Sequence, residues 1–388
     1  MSIRPIWARA GNRRPRIVAS AGRILPALLL TWNLGAFERA RPGYDYQFPR
    51  DYFEHPEFQS EWWYYTGNLA TTEGRRFGFE LTFFRAGLDS RRTGAGTWDF
   101  DQVYLAHFVV ADIEAGRTLK TERINRAGPG IAGASHDKRT IWNGNWSVSF
   151  LPDDPLRPPQ RMWAGVDGVS VSLSLAPSKP VVVHGVDGIS RKARGPGRAS
   201  HYLSFTRLLA SGVVEIGGTE HAVEGLAWMD HEFFTDSLSS DQVGWDWMSV
   251  QLDDGIDLML YGIRETGGFR SAFSSGTLVE PDGQASHLEA EDFRMLPGRT
   301  WRSEETGAAY PVEWAVEVPR LGLRLKVRPL RDAQEIFSER GFTPTYWEGP
   351  VTYSGERDGQ AVTGRGYLEM TGYDKPFTLG GQTGGPGE

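Results

Sequence analysis

Beyond residue 45 the chain alternates apolar and polar positions in short runs. The segments "RRFGFELTFFR" (75–85), "YLAHFVVAD" (104–112), "VSVSLSLAP" (169–177), "IDLMLYGIR" (256–264) and "LGLRLKVRP" (321–329) all have period two. That period places successive side chains on opposite faces of a strand. The triplets "DDG" (253–255), "PDG" (281–283) and "RDG" (357–359) read as turns between strands. The best helix signal is 332–340, where Asp332 would cap and Glu335 follows three residues later. The pattern predicts an antiparallel all-β fold with few short helices.

The two halves also repeat each other. "EWWYYTGNLATTEGRRFGFELTFFR" (61–85) lies on "GWDWMSVQLDDGIDLMLYGIR" (244–264), matching Trp62 with Trp245 and Leu69 with Leu252. "VEGLAWMDHEF" (223–233) lies on "VTGRGYLEMTGY" (362–373), matching Gly225 with Gly364, Trp228 with Tyr367 and Asp230 with Glu369. We read a first β-domain over 45–235 and a second over 236–378, the first lengthened by inserted loops near 86–102 and 125–165. Sheets of this many strands protect their edges by closing, and a barrel of about eight strands has room for one small ligand.

The ends read differently. Residues 1–44 carry Arg4, Arg9, Arg13, Arg14, Arg16 and Arg23 ahead of "ILPALLLTWNLGAF" (24–37). A basic stretch followed by a short apolar run has the form of an export signal, and a cytoplasmic extension is the alternative. The run is short for a membrane span, which takes roughly 20 apolar residues. The tail 379–388, which contains "GGQTGGPGE" (380–388), reads as flexible.

Composition changes this picture in three ways. The 14 Trp, 13 Tyr and 20 Phe suit a large β-core or a cavity for an apolar ligand. A net charge of −7 gives no nucleic-acid footprint. The absence of cysteine excludes disulfides, thiolate zinc sites and a Cys nucleophile. The 8 His show no metal-ligand spacing, and no nucleotide cradle or serine elbow is found, so neither a metal nor a cofactor is expected.

The candidate chemistry centres on "GLAWMDHEFF" (225–234). Alternation puts Asp230 and Glu232 on one strand face and His231 with Met229 on the other, with Trp228, Phe233 and Phe234 around them. A carboxyl among aromatic rings loses solvation, keeps its proton nearer neutral pH and can serve as a general acid. The competing reading is a buried clasp tying one domain to the next. In "GWDW" (244–247), Trp245 and Trp247 share one face while Asp246 takes the other. Their indoles either stabilise a cation or simply fill a core. Glu61 beside Trp62 and Trp63, and Glu348 beside Tyr346 and Trp347, repeat the pairing of carboxylate and aromatic ring.

The motifs "SEWWYYTGNL", "FGFELTFFR", "GLAWMDHEFF", "GWDWMSVQLDDG" and "YWEGPVTYSG…GRGYLEMTGY" resemble the AttH-type lipocalin-like family, which includes carotenoid 1,2-hydratase relatives. The resemblance runs from about residue 46 to 377 and implies two tandem lipocalin-like barrels. It further implies acid-catalysed hydration or cyclisation of a C=C bond in an isoprenoid- or polyketide-like substrate. Carried onto this chain, it implies Asp230 or Asp246 as acid, Trp245, Trp247 and Tyr261 as cation-facing rings, and His231 orienting water. A non-catalytic exported carrier of a hydrophobic small molecule, serving a membrane transporter, is the alternative.

Overall fold

The computed structural model describes residues 37–88, 101–337 and 344–377. Residues 1–36, 89–100, 338–343 and 378–388 lie outside these residues, and with them most of the leader-like segment, of the loop expected near 86–102 and of the tail. The first sheet holds β1 (Ser60–Ala70), β2 (Arg76–Gly87), β3 (Gln102–Asp112), β4 (Arg117–Arg126), β5 (Ala132–Ser135), β6 (Thr140–Asn143) and β7 (Trp146–Phe150). It continues through β8 (Gln160–Val166), β9 (Val169–Pro177), β10 (Val182–Val183), β11 (Ser190–Arg191), β12 (Ala199–Ile216) and β13 (Thr219–Phe234). The second half holds β14 (Gln242–Leu252), β15 (Asp257–Glu265), β16 (Ser275–Val279), β17 (Ala285–Leu288), β18 (Arg294–Pro297), β19 (Thr300–Arg302) and β20 (Ala309–Pro311). It ends with β21 (Trp314–Val318), β22 (Leu323–Pro329), β23 (Glu335–Ile336), β24 (Tyr346–Arg357) and β25 (Gln360–Thr371).

The main path of the first sheet runs β4-β3-β2-β1-β13-β12-β9-β8-β7-β6-β5, and that of the second runs β17-β16-β15-β14-β25-β24-β22-β21-β18. The fold is all-β, two large curled antiparallel sheets. The first nearly closes, and its ends meet through side chains: Asn143 donates to the Tyr104 carbonyl at 3.2 Å and Asn125 donates to Asn143 Oδ1 at 2.6 Å. The ladders carry the repeat residue by residue. Tyr64 opposes Asp230 and Thr66 opposes Trp228 in the first sheet, while Trp247 opposes Glu369 and Ser249 opposes Tyr367 in the second.

Burial sorts the strands into two kinds. In β9 buried and exposed positions alternate, because one face meets the barrel interior and the other meets water. In β1, β13, β14 and β25 both faces are largely buried at the sheet centre. One face fills its own sheet's core, and the other packs against the opposite sheet across an aromatic seam of Tyr64, Tyr202, Trp228, Trp247, Met259, Tyr261, Ile263 and Tyr367. The sheets approach closely: a Cβ on Gly78 would meet Pro350 Cγ at 2.6 Å and the Tyr367 hydroxyl at 2.8 Å.

Two expectations need correction. The 125–165 stretch is not an inserted loop but carries β5 to β8, whose short runs bury Ile141, Trp146, Val148 and Phe150 in the first core. The described part of 332–340 is not helical. Ile336 pairs with Tyr346, the Asp332 carboxylate binds Arg299 at 2.6 Å instead of capping, and Glu335 accepts from Thr306 and Tyr310. Tertiary partners here override a weak local signal.

Candidate functional site

Strand parity decides which predicted residues meet. Of β13, Trp228, Asp230 and Glu232 face the seam, while Met229 joins the first core. Trp247 and Tyr261 reach the seam from the second sheet, with Trp62 and Trp245 half-buried at its edge. Tyr346 and Glu348 reach it from β24. The other candidates do not. Glu61, Trp63 and His231 turn into the first sheet, where His231 Nε2 lies 2.8 Å from Glu61 Oε1 and stacks on Trp63 with ring centroids 4.9 Å apart. Asp246 and Trp347 turn into the second. His231 therefore cannot orient water for Asp230, because neighbouring residues of one strand point to opposite faces.

Asp230 is the centre of one pole of the seam. Its Oδ2 accepts from the Tyr202 hydroxyl at 2.6 Å, and Oδ1 accepts from the Ser204 hydroxyl and from the Trp228 indole N–H at 2.6 Å. His184 stands behind, with Nε2 2.6 Å from Ser204 Oγ, and Trp247 donates to the Tyr202 oxygen at 3.0 Å. Burial pushes Asp230 up to about 7 even against these three donors. Beside it Lys192 pairs with Glu232 at 2.9 Å and sits 4.2 Å over the Tyr261 ring. The face of Tyr261 thus already holds a cation of the protein.

The other pole is built from carboxyls. Tyr64 donates to Glu348, Tyr346 donates to Glu80 Oε1 at 3.0 Å, and Thr82 donates to the same oxygen at 2.9 Å. Since the Tyr346 proton goes to Glu80, His107 Nδ1, 2.6 Å away, is the donor to its oxygen. Burial lowers His107 to about 4, so that ring is neutral. Burial, then mutual repulsion, holds Glu348 well above the carboxylate range, and Glu80 and Glu369 rise as well. Repulsion between the neighbouring carboxyls favours a proton among them.

Two further acid clusters lie off the seam. Asp246 rises to about 6 by burial and accepts from Tyr373 at 2.9 Å, with Arg264 at 3.5 Å. His55, Glu61 and His231 bring three donor atoms together in the way a metal would require. The buried Arg85 guanidinium, 2.8 Å from Glu61 Oε2, already neutralises that carboxylate, and hydrogen bonds account for the short contacts. This is a structural ion cluster. Open clefts of about 200 Å³ beside Asp112 and Arg117, and of about 320 Å³ beside Phe53 and Phe150, touch none of these groups.

Sequence reasoning passed over Tyr202, Ser204, His184, Lys192, Glu80 and Glu369. Only Glu369 left a usable trace, as the repeat partner of Asp230. The comparisons agree with the fold. The sequence model of the AttH-like family matches residues 39–373. A solved AttH structure from Nitrosomonas europaea superposes with a TM-score of 0.77 at 33% identity, covering 87% of this chain and 100% of that one. Kievitone hydratase from Nectria haematococca has the same fold, with a TM-score of 0.66 at 15% identity over 88% of this chain and 98% of its own. Among curated proteins, the dehydratase asqC of Emericella nidulans is 22% identical over 268 residues, 65% of this chain and 73% of that protein. The named relatives are a hydratase and a dehydratase.

Proposed function

Since the chain belongs to the AttH-like family, we propose that it is a cofactor-independent hydratase or dehydratase, interconverting a C=C bond and an alcohol at the seam. The observation that carries this reading is Asp230: a buried carboxyl, ringed by Trp228, Tyr202 and Trp247, with a pKa near neutrality. Both of its forms are populated at pH 7, so it can give a proton in one direction and take one in the other. Ser204 and His184 fix its orientation, and the aromatic walls suit an apolar, isoprenoid-like substrate. The sequence-level parallels with hydratases and dehydratases support the reaction class.

Incubation with an ortho-prenylphenol in heavy-oxygen water tests the reading. The expected product is a tertiary alcohol carrying the label, formed by wild type and not by Asp230→Asn. Label incorporation that survives Asp230→Asn would sink the assignment.

A further inference from the structure

Of the seam carboxyls, Glu369 is the one that is not closed off. It lies deep in the fold, in reach of the charges of Glu80, Asp230 and Glu232, yet keeps accessible surface, whereas Asp230, Glu232, Glu80 and Glu348 are buried. Its partial exposure leaves it open to a reagent or substrate where its four neighbours are closed. Half-buried Trp62, Leu238, Trp245 and Phe273 pack against the same aromatic seam and make its open edge apolar. Among the described residues Glu369 is within hydrogen-bonding reach of the Trp245 indole, while the oxygens of Asp230 are taken by three donors. The ladder places it opposite Trp247, as Asp230 is placed opposite Tyr64, so the duplication has put one acid on each wall.

We propose that Glu369 is the general acid that works with Asp230 across the seam, an assignment that rests on the hydration–dehydration reading. The environments divide the labour. Three donors favour the carboxylate form of Asp230, and carboxyl neighbours with little donor support favour the protonated form of Glu369. In hydration, the Glu369 proton and the alkene π pair form a new C–H bond. A water oxygen bonds to the adjacent carbon, and the proton that water loses goes to Asp230. The sum is C=C plus water giving an alcohol, and exchange with solvent takes the proton from Asp230 and restores one to the partly exposed Glu369. Dehydration is the reverse.

Dicyclohexylcarbodiimide reacts with protonated carboxyls that an apolar reagent can reach, and it tests the assignment without a known substrate. Peptide mapping of the labelled protein at neutral pH should place the adduct on Glu369 and leave Glu80, Glu348 and Asp246 unmodified. Glu369→Gln should then lower kcat for ortho-prenylphenol hydration by ~10²-fold or more with KM within a few-fold. Labelling that misses Glu369 overturns the proposal even if the variant does not fold. An adduct on Glu369 with undiminished turnover in Glu369→Gln overturns it too. An adduct on Glu369 in a wild-type protein inert toward alkenes and alcohols brings down the hydration reading, and this assignment with it.

Discussion

The two poles of the seam bury acids by opposite means. At one, hydroxyl and indole donors converge on Asp230, and the carboxylate is solvated by the protein. At the other, Glu80, Glu348 and Glu369 lie close together with fewer donors than oxygens, Tyr64, Tyr346 and Thr82 serving Glu348 and Glu80, and mutual repulsion keeps protons on the group. The first arrangement can exchange a proton with little rearrangement, because both forms of Asp230 find partners. The second stores protons. Related positions of a duplicated sheet have thus diverged from one plan: Ser204 opposes Asp230 where Glu348 opposes Glu369.

The largest effect should separate Asp230 from the closed carboxyls of the other pole by activity. Asp230→Asn is expected to lower kcat by ~10²–10⁴-fold, while Glu348→Gln, measured alongside, stays within about tenfold; equal losses would erase the distinction. The next contrast is in pH. A carboxyl raised in the folded state binds its proton more tightly there than in the unfolded chain, so stability is lost as pH climbs through the interval between the two values. For Asp230, the rise from 3.8 to about 7 corresponds to roughly 4 kcal/mol lost between about pH 4 and 7. Buried neutral imidazoles such as His107 contribute the opposite slope, so the contribution of Asp230 is read as a difference: the urea midpoint of wild type relative to Asp230→Asn should fall over that range. A difference that rises with pH would contradict the buried-acid account of Asp230.

Smaller effects concern how the poles are held together. Gly78→Ala inserts a methyl group against Pro350 and Tyr367 beside the glutamates and should destabilise by about 1–3 kcal/mol. The same unfolding assay would expose a softer seam if no loss appeared. Smallest is Asn68→Ala, which removes the 2.9 Å bond from Asn68 to the Gly366 carbonyl and should cost about 1 kcal/mol without changing kcat. A change in kcat there would mean that the two walls move during turnover.

Much of this was legible in the residues. Period-two runs gave the strands, and the alignment of Trp62 with Trp245 and of Asp230 with Glu369 anticipated ladder registers that were then found. The even placement of Asp230 and Glu232 put them on one face. The sequence was weaker on Glu80, Lys192 and His184, whose partners Tyr346, Glu232 and Ser204 come from other strands. It was misleading at 332–340, where a helix-like spacing lost to pairing with β24.

Alternation determines that Asp230 and His231 point apart, since a strand has only two faces. It cannot determine which face meets the other sheet when both are aromatic, as in "EWWYY", where Trp63 and Tyr65 fill a core and Tyr64 lines the seam. That choice belongs to the packing of two sheets, which pairs surfaces distant in sequence. The same packing raises the pKa of the seam acids, because desolvation depends on what covers a group and not on its neighbours along the chain.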